Sequence, residues 1–247
     1  MGLEDKEKRE LFLRQTTDAQ SFVYQGKKKE AIECYDKILA KYPNDTAVIY
    51  GKGMVYFEFN DLEDAVACFD EAIAINPEDI DSLYAKGAIL SSLGKNEEAI
   101  KLFDTVIKLN SEFMIAWLAK GYAYLFIEKS EKALHCFEEV EKLGNKEMAF
   151  SGKGRALLNL NELEKAESNF KEAIKLDPYD PEALFGLGVI AYKKDDLKNA
   201  AEQLYRSVVQ DEDNVEAWKF LAEIYKKTND AEREKVALAK IAELEEK

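Results

Sequence analysis

Six alanines recur along this chain at an almost constant interval, and this regularity restricts the fold more than any other feature. The intervals between them are 34, 34, 34, 33 and 34 residues. The alanines are Ala31, Ala65, Ala99, Ala133, Ala166 and Ala200. A fixed interval of this length predicts that one small structural unit has been copied along the chain.

The alanines divide almost the whole sequence into repeats. Counting back nineteen residues from each alanine predicts a single array of seven repeats, preceded by a charged, helical lead-in over residues 1–11. The repeats are 12–45, 46–79, 80–113, 114–146, 147–180, 181–214 and 215–247, the last as a cap. With four prolines and twelve glycines in 247 residues, no Pro/Gly-rich linker interrupts the array.

The first half of each repeat has the apolar pattern of a helix. Large apolar residues favour its fourth place, a glycine or alanine stands at its eighth, and an aromatic often stands at its eleventh. The residues at the eighth place are Ala19, Gly53, Gly87, Gly121, Gly154, Gly188 and Ala222. Because these three places share one helix face, the small residue is predicted to let a second helix come close.

The second half of each repeat predicts that second helix. Alanine at the twentieth place is followed by a ring or leucine at the twenty-fourth and by an apolar residue at the twenty-seventh, which form one stripe of a helix. The residues at the twenty-fourth place are Tyr35, Phe69, Phe103, Phe137, Phe170 and Leu204. The pattern therefore predicts two helices per repeat.

The residues between these halves agree with helix ends. Six repeats have, at the fifteenth place, a residue that tolerates the left-handed conformation, and the fourth repeat has Glu128 as an exception. The six are Gly26, Asn60, Gly94, Asn161, Asp195 and Asn229. Pro43, Pro77 and Pro178 are predicted to end second helices, because proline lacks an amide hydrogen.

This pattern resembles the tetratricopeptide repeat. The family pattern of W-x2-L-G-x2-Y, then A-x3-F, is matched by Trp117, Gly121, Tyr124, Ala133 and Phe137. The resemblance covers residues 12–247 and implies an all-α fold, a right-handed α-α superhelix (TPR solenoid) of about seven helix-turn-helix repeats. It also implies that the first helices line a concave groove.

Three features depart from the family pattern. The seventh place, usually leucine, is Lys52, Lys86, Lys120 and Lys153 in four consecutive repeats. These lysines could form a binding strip for an acidic partner, or their stems could cover apolar surface while each ammonium reaches water or a carboxylate. The fourth repeat lacks one residue near 143–147, and the seventh has glutamate in place of the repeated alanine.

The charge of the chain restricts its partners. A net charge of −14 disfavours nucleic acid and anionic membranes, both of which bind clustered Lys and Arg. The N-terminus is charged throughout, and no apolar run approaches the length that spans a membrane. We therefore expect a soluble cytoplasmic protein that binds neither nucleic acid nor membrane.

The cysteines and the histidine predict no disulfide, metal site or catalytic site. Cys34, Cys68 and Cys136 share one place in three repeats, so they should lie ~8–10 Å apart, beyond the reach of a disulfide, as reduced and half-buried thiols. The single histidine, His135, lacks companions for a metal site or a nucleophilic triad. We expect no metal, no cofactor and no enzyme activity.

The resemblance implies which residues face the groove, namely places two, five, nine, twelve and thirteen of each repeat. The predicted partner-binding residues are Tyr50, Met54, Phe57, Tyr84, Tyr122, Phe126, Arg155, Phe185 and Tyr192. They predict an apolar, aromatic-rich groove that fades toward the charged seventh repeat. The alternative is that each ring merely packs neighbouring first helices together.

These features predict a non-enzymatic adaptor or scaffold that binds a peptide or helix of a partner protein in the groove. Two alternatives stay open: an accessory or regulatory subunit of an enzyme or secretion assembly, and self-association through the ends of the array, although a monomer is favoured. The family's carboxylate clamp needs Lys and Asn in one first helix, and it is absent because place nine never holds asparagine. We expect no binding to the C-terminal tails of chaperones.

Overall fold

The computed structural model of the chain describes residues 3–246, with side chains from residue 7 onward. Met1 and Gly2 of the predicted lead-in and Lys247 of the last repeat lie outside the described residues. Between residues 3 and 246 the fold is all-α, with fourteen helices and no strand. The chain divides between Ala116 and Trp117 into two compact units, called here the N-terminal half and the C-terminal half.

The helices follow the predicted two per repeat. The first six are α1 (Leu3–Tyr24), α2 (Lys28–Leu39), α3 (Thr46–Glu58), α4 (Leu62–Ile75), α5 (Ile80–Ser92) and α6 (Asn96–Leu109). The others are α7 (Met114–Phe126), α8 (Ser130–Lys142), α9 (Lys146–Asn159), α10 (Leu163–Leu176), α11 (Pro181–Lys193), α12 (Leu197–Gln210), α13 (Val215–Lys227) and α14 (Ala231–Glu245). Residues of the lead-in from Leu3 onward are continuous with the first helix of repeat 1.

Side-chain caps determine where most first helices begin. Asp180 accepts a hydrogen bond from the backbone N–H of Ala183 at 3.0 Å, and Asn214 accepts one from Ala217 at 2.9 Å. Asp45, Asp79 and Asn145 cap α3, α5 and α9 in the same way. Each cap satisfies an amide that has no partner within the helix, so the last places of a repeat position the next first helix.

Left-handed residues end the first helices of all seven repeats. The six predicted residues have φ between 58° and 76°, and Glu128 has φ 57° although glutamate rarely adopts this conformation. Glu128 is therefore unusual in residue type but has the same backbone conformation as the other six residues. The turn between paired helices imposes the same geometry whichever residue stands there.

Proline ends the second helix in two of the three predicted cases. Asn76 and Asp177 take extended conformations before Pro77 and Pro178, with φ −129° and −127°, directly after α4 and α10. Pro43 is different, because α2 ends at Leu39 and the chain turns before it reaches the proline. The prediction was wrong for Pro43.

The missing residue of the fourth repeat falls where the sequence predicts it. Only residues 143–145 separate α8 from α9, and Gly144 adopts φ 101°, which an L-residue would rarely tolerate. The residues that connect α10 to α11 are 177–180. A glycine turn thus replaces the longer connection that carries proline.

In repeats 4 and 5 the ring at the twenty-fourth place lies between two glycines of different first helices. A Cβ added at Gly121 would lie 2.8 Å from Phe137, and one added at Gly152 of the next repeat would lie 2.4 Å from the same ring. Phe137 is 0% exposed. The glycine at the eighth place was predicted to allow close approach, whereas the second glycine, at the sixth place, was not anticipated.

The three cysteines form no disulfide, and each is buried in a second helix. They were expected to be half-buried, but each is at most 8% exposed. Burial raises the pKa of the Cys68 thiol from its ordinary 9.0 to about 11, although Lys52 acts in the opposite direction. These thiols therefore serve as small core side chains.

Replacing Gly152 by alanine tests the packing of the ring. Alanine in mid-helix ordinarily stabilises by about 0.5–1 kcal/mol relative to glycine, but here the added methyl group meets Phe137. We expect Gly152→Ala to lower the free energy of unfolding by about 1–3 kcal/mol through overpacking. Urea unfolding followed by circular dichroism measures this, and a stabilised variant would contradict the close approach.

Thiol alkylation tests the burial of Cys68. At pH 8 a shift of the pKa from 9.0 to about 11 lowers the thiolate fraction about a hundredfold. We expect Cys68 in the folded chain to react with iodoacetamide at least about a hundredfold more slowly than in urea. Peptide mass spectrometry resolves the three cysteines, and equal rates in both conditions would show that the thiol is accessible.

Candidate functional site

The predicted groove residues fall into both halves of the chain. The N-terminal half holds Tyr50, Met54, Phe57 and Tyr84, and the C-terminal half holds Tyr122, Phe126, Arg155, Phe185 and Tyr192. Each set is described within its own half.

In the N-terminal half most of these side chains contribute to packing. The ring centroid of Tyr50 lies 5.6 Å from that of Phe69, and the ring of Tyr84 lies 5.9 Å from Phe103 and 5.5 Å from Phe113. Such tilted and edge-on contacts stabilise a core beyond simple area burial. The packing alternative therefore accounts for much of the role of these two tyrosines.

The neighbouring residues on α3 differ in exposure. Met54 packs against the cluster around Phe69, whereas Phe57 is 43% exposed. Phe57 is thus the predicted groove residue of this half with the largest surface open to a partner.

In the C-terminal half, four of the five predicted residues line one cavity of about 360 Å³, which we call the Tyr122 cavity. Its walls come from α7, α9 and α11 and from the connection between α12 and α13. The lining residues are Tyr122, Leu125, Phe126, Arg155, Asn159, Pro181, Glu182, Phe185, Asp211 and Asn214. Residues far apart in sequence thus meet because three first helices and one connection contribute to the same cavity.

Tyr122 joins the core to the polar side of the cavity. Its ring packs edge-on against Phe137 at 5.3 Å, and its hydroxyl donates a hydrogen bond to Oε2 of Glu182 at 3.1 Å. Burial and the nearby Glu182 carboxylate raise the pKa of Tyr122, so the phenol stays protonated and acts as a donor. Tyr122 is both a packing residue and a wall of the cavity.

Arg155 lies between two carboxylates from the next two repeats. Its Nη1 is 4.0 Å from Oε1 of Glu182, and its Nη2 is 3.4 Å from Oε2 of Glu216. The guanidinium carbon also lies 5.1 Å from the ring centroid of Phe185, in a cation–π contact. Arg155 is therefore held in place by one ring and two acidic side chains.

Glu182 is the most perturbed carboxylate of the cavity. Burial raises its pKa above the ordinary value, the neighbouring Asp180 adds to this, and Arg155 and the hydroxyl of Tyr122 act in the opposite direction. Since Oε1 is 4.0 Å from Arg155, that contact is longer than a hydrogen bond. One oxygen of Glu182 is thus well placed to accept a hydrogen bond from a ligand.

Phe126 forms the exposed apolar edge of the cavity. It is the last residue of α7 and 73% of its surface is exposed, beside the less exposed Leu125. Single exposed apolar side chains are common on protein surfaces, but Phe126 adjoins a cavity that other rings also line.

Tyr192 lies outside the Tyr122 cavity. Its ring packs edge-on against Phe220 at 5.3 Å, and its hydroxyl donates to the carboxylate of Glu223. The ammonium of Lys227 lies 4.4 Å from the centre of the same ring. Charged residues of repeat 7 therefore surround Tyr192, which agrees with the predicted fading of the apolar groove.

Sequence reasoning missed the polar lining of the Tyr122 cavity. Glu182 and Asn159 stand at places two and thirteen, which the family pattern assigns to the groove, but an apolar groove was predicted there. Asp211 and Asn214 come from a helix connection, where helical periodicity carries no signal. Only folding brings them to the cavity.

A second cavity, of about 890 Å³, lies between α12, α13 and α14 and contains no predicted residue. Tyr205 and Val236, which are 55% and 59% exposed, line it together with Trp218 and Tyr225. At the place of Tyr205, earlier repeats carry the charged residues Asp70, Asp104, Glu138 and Lys171. This apolar surface is thus specific to the last two repeats.

Comparison with known protein families identifies the repeat. One family model, described as tetratricopeptide repeat, matches residues 17–80 and 151–217, together more than half of the chain. The chain belongs to the tetratricopeptide repeat family. Two further models with the same description match residues 68–101 and 115–146.

Solved tetratricopeptide repeat structures share this fold. A tetratricopeptide repeat protein from Parabacteroides merdae superimposes with a TM-score of 0.80 at 17% identity, over 95% of this chain and 93% of that one. The Cut9–Hcn1 hetero-tetramer of the APC/C gives 0.74 at 14% identity, over 92% and 45%. A fragment of MamA from Desulfovibrio magneticus gives 0.60 at 27% identity, over 69% and 97%.

No curated protein gives a significant sequence match to the chain. Among the described helices, none combines the length and apolar composition that a membrane crossing requires. The described residues also contain no group of three or more potential metal ligands.

The lysines at the seventh place of the repeats connect neighbouring helices. Lys52 lies 2.7 Å from Asp36, Lys86 lies 2.5 Å from Asp70, and both carboxylates belong to the preceding second helix. Burial alone would lower the pKa of Lys52, but its hydrogen bond to Asp36 raises it.

The other two lysines of this set also contact neighbouring side chains. Lys153 lies 2.8 Å from Glu141. The ammonium of Lys120 lies 5.0 Å from the ring centre of Trp117. These contacts favour the structural interpretation of the lysines over a strip for an acidic partner.

Charge reversal tests this interpretation. In the double variant Lys52→Glu and Lys86→Glu, two partly exposed ion pairs become repulsive, so we expect a loss of stability of about 1 kcal/mol per site. Captured partners should be unchanged. Thermal unfolding and affinity capture measure the two effects, and Lys52→Gln with Lys86→Gln separates repulsion from the lost pairs. Loss of a partner at unchanged stability would instead support a binding strip.

Proposed function

We propose that this protein is a non-enzymatic interaction adaptor whose first-helix surface binds a peptide or helix of a partner protein. The tetratricopeptide repeat family generally binds protein partners, and its fold typically serves as an interaction scaffold. The observation that carries the proposal is the Tyr122 cavity, where four predicted groove residues meet, among them the exposed Phe126.

The chemistry of the cavity suits protein recognition. Interfaces concentrate their binding energy in aromatic and arginine side chains that sit in pockets, and this cavity combines Tyr122, Phe126 and Phe185 with Arg155. Arg155 is already oriented by Phe185 and two carboxylates, so little side-chain entropy remains to be lost on binding. In the N-terminal half, Phe57 supplies a further exposed ring.

We propose that the partner is a protein and that the chain binds neither nucleic acid nor membrane, in keeping with its net charge of −14. We also propose that the protein is cytoplasmic and does not bind the C-terminal tails of chaperones through a carboxylate clamp.

Replacing exposed rings of the groove tests the proposal. Phe126 is 73% exposed, so Phe126→Ser should change the free energy of unfolding by less than about 0.5 kcal/mol. We expect it to reduce partner recovery at least about tenfold, because removal of an aromatic anchor that a partner covers costs about 2 kcal/mol or more of binding energy. Affinity capture with quantitative mass spectrometry measures recovery. Tyr122→Ala is less suitable, since Tyr122 also packs against Phe137.

Tyr179→Ser is the matched control, because this ring is 66% exposed and does not line the cavity. It should leave recovery unchanged. Equal recovery of every partner by the wild type, the Phe126 variant and the control would refute the groove as the binding site.

A further inference from the structure

The polar side of the Tyr122 cavity is acidic. Glu182 and Asp211 line it, and Glu216 reaches it through its contact with Arg155. Of the described residues that line the cavity, Arg155 alone is basic. A ligand that enters therefore meets more negative than positive charge.

The positive charge of Arg155 is already balanced by carboxylates of the protein itself. The guanidinium lies between Glu182 and Glu216 and packs on the ring of Phe185, so two carboxylates share it. Asp211 contributes a further carboxylate from the exposed end of α12, and it forms no ion pair within residues 3–246. The cavity thus keeps uncompensated negative charge.

The opposite side of the cavity is apolar. Phe126 is largely exposed, and Leu125 lies beside it. A cavity of ~150 Å³ accommodates benzene, so the 360 Å³ here provide room for more than one side chain of that size. The two sides together match a ligand that is cationic on one side and apolar on the other.

We infer that the partner segment bound in the Tyr122 cavity carries a lysine or arginine beside a large apolar side chain. The cation lies between Glu182 and Asp211, and the apolar side chain packs against Phe126. This inference rests on the proposed function and names the chemistry of the partner. Carboxylates in the partner are disfavoured, because they would face three acidic side chains while the one guanidinium is shared.

The net charge of the whole chain also favours a basic partner segment. A net charge of −14 attracts basic segments and speeds their encounter with the protein at low salt. Buried contacts between a cation and Glu182 are screened less than this long-range attraction. Binding should weaken with salt but persist at high salt.

Selection from a library of randomised peptides tests the inference with the full-length chain. We expect the selected peptides to be enriched in lysine or arginine next to Phe, Leu, Met or Trp. Fluorescence polarisation then measures the affinity of the most enriched peptide, and of its derivative with glutamine in place of the basic residue. The derivative should bind at least about tenfold more weakly.

Charge-neutral variants of the protein complete the test. Glu182→Gln retains an acceptor for the hydroxyl of Tyr122, and Asp211→Asn alters an exposed helix end, so the second remains informative if the first impairs folding. Each variant should lower the affinity for the basic peptide about tenfold and leave the affinity for the glutamine derivative unchanged. Glu131→Gln, at an exposed carboxylate of α8 that does not line the cavity, is the control.

The outcomes separate this inference from the proposed function. Selected peptides that are acidic or neutral, and whose binding Phe126→Ser abolishes, would retain the groove but overturn the basic specificity. Basic peptides whose affinity is the same for Asp211→Asn, Glu182→Gln and the control would also overturn it. A selection without any peptide that depends on Phe126 would contradict the proposed function and this inference together.

Discussion

The structure depends on a contact that recurs in repeats 1–6, in which the side chain at the twenty-fourth place packs against a glycine of a first helix. In two of these repeats the side chain is a ring that lies between glycines of two successive first helices. Phe170 shows it most clearly, because a Cβ added at Gly154 would lie 2.6 Å from the ring and one added at Gly186 would lie 2.2 Å from it. The two glycines leave open the space that a Cβ would fill, so both first helices pack directly against this ring. The contact joins three helices at once, so it holds a repeat together and also connects it to the next.

The candidate binding site follows from the same contact. Because Phe137 fixes the distance between α7 and α9, Tyr122 can pack against that ring and still reach Glu182 on α11. Arg155 on α9 then lies between the carboxylates of the two following repeats. The regular spacing of the repeats thus brings residues about 60 positions apart into one cavity. The residues that depart from the repeat pattern determine the chemistry of this cavity.

The lysines and helix ends show how regular geometry can outweigh residue type. Glu128 adopts the same left-handed conformation as the asparagines and glycines at its place, because the turn between paired helices leaves no other. Lys52 and Lys86 occupy a place where the family usually has leucine, yet each reaches a carboxylate of the preceding helix. Substitutions at these places are accommodated locally and do not alter the pairing of helices.

The sequence by itself determined the repeat length, two helices per repeat, most helix ends and the small residue at the eighth place, because these depend on short-range periodicity and local backbone preference. It also indicated the first-helix places that hold Tyr122, Phe126, Arg155 and Phe185. Only the tertiary structure decided that Tyr50 and Tyr84 serve mainly as packing, and that Glu182 and Asp211 meet Arg155 at one cavity. Burial and contacts between separate repeats depend on distances that no local pattern encodes.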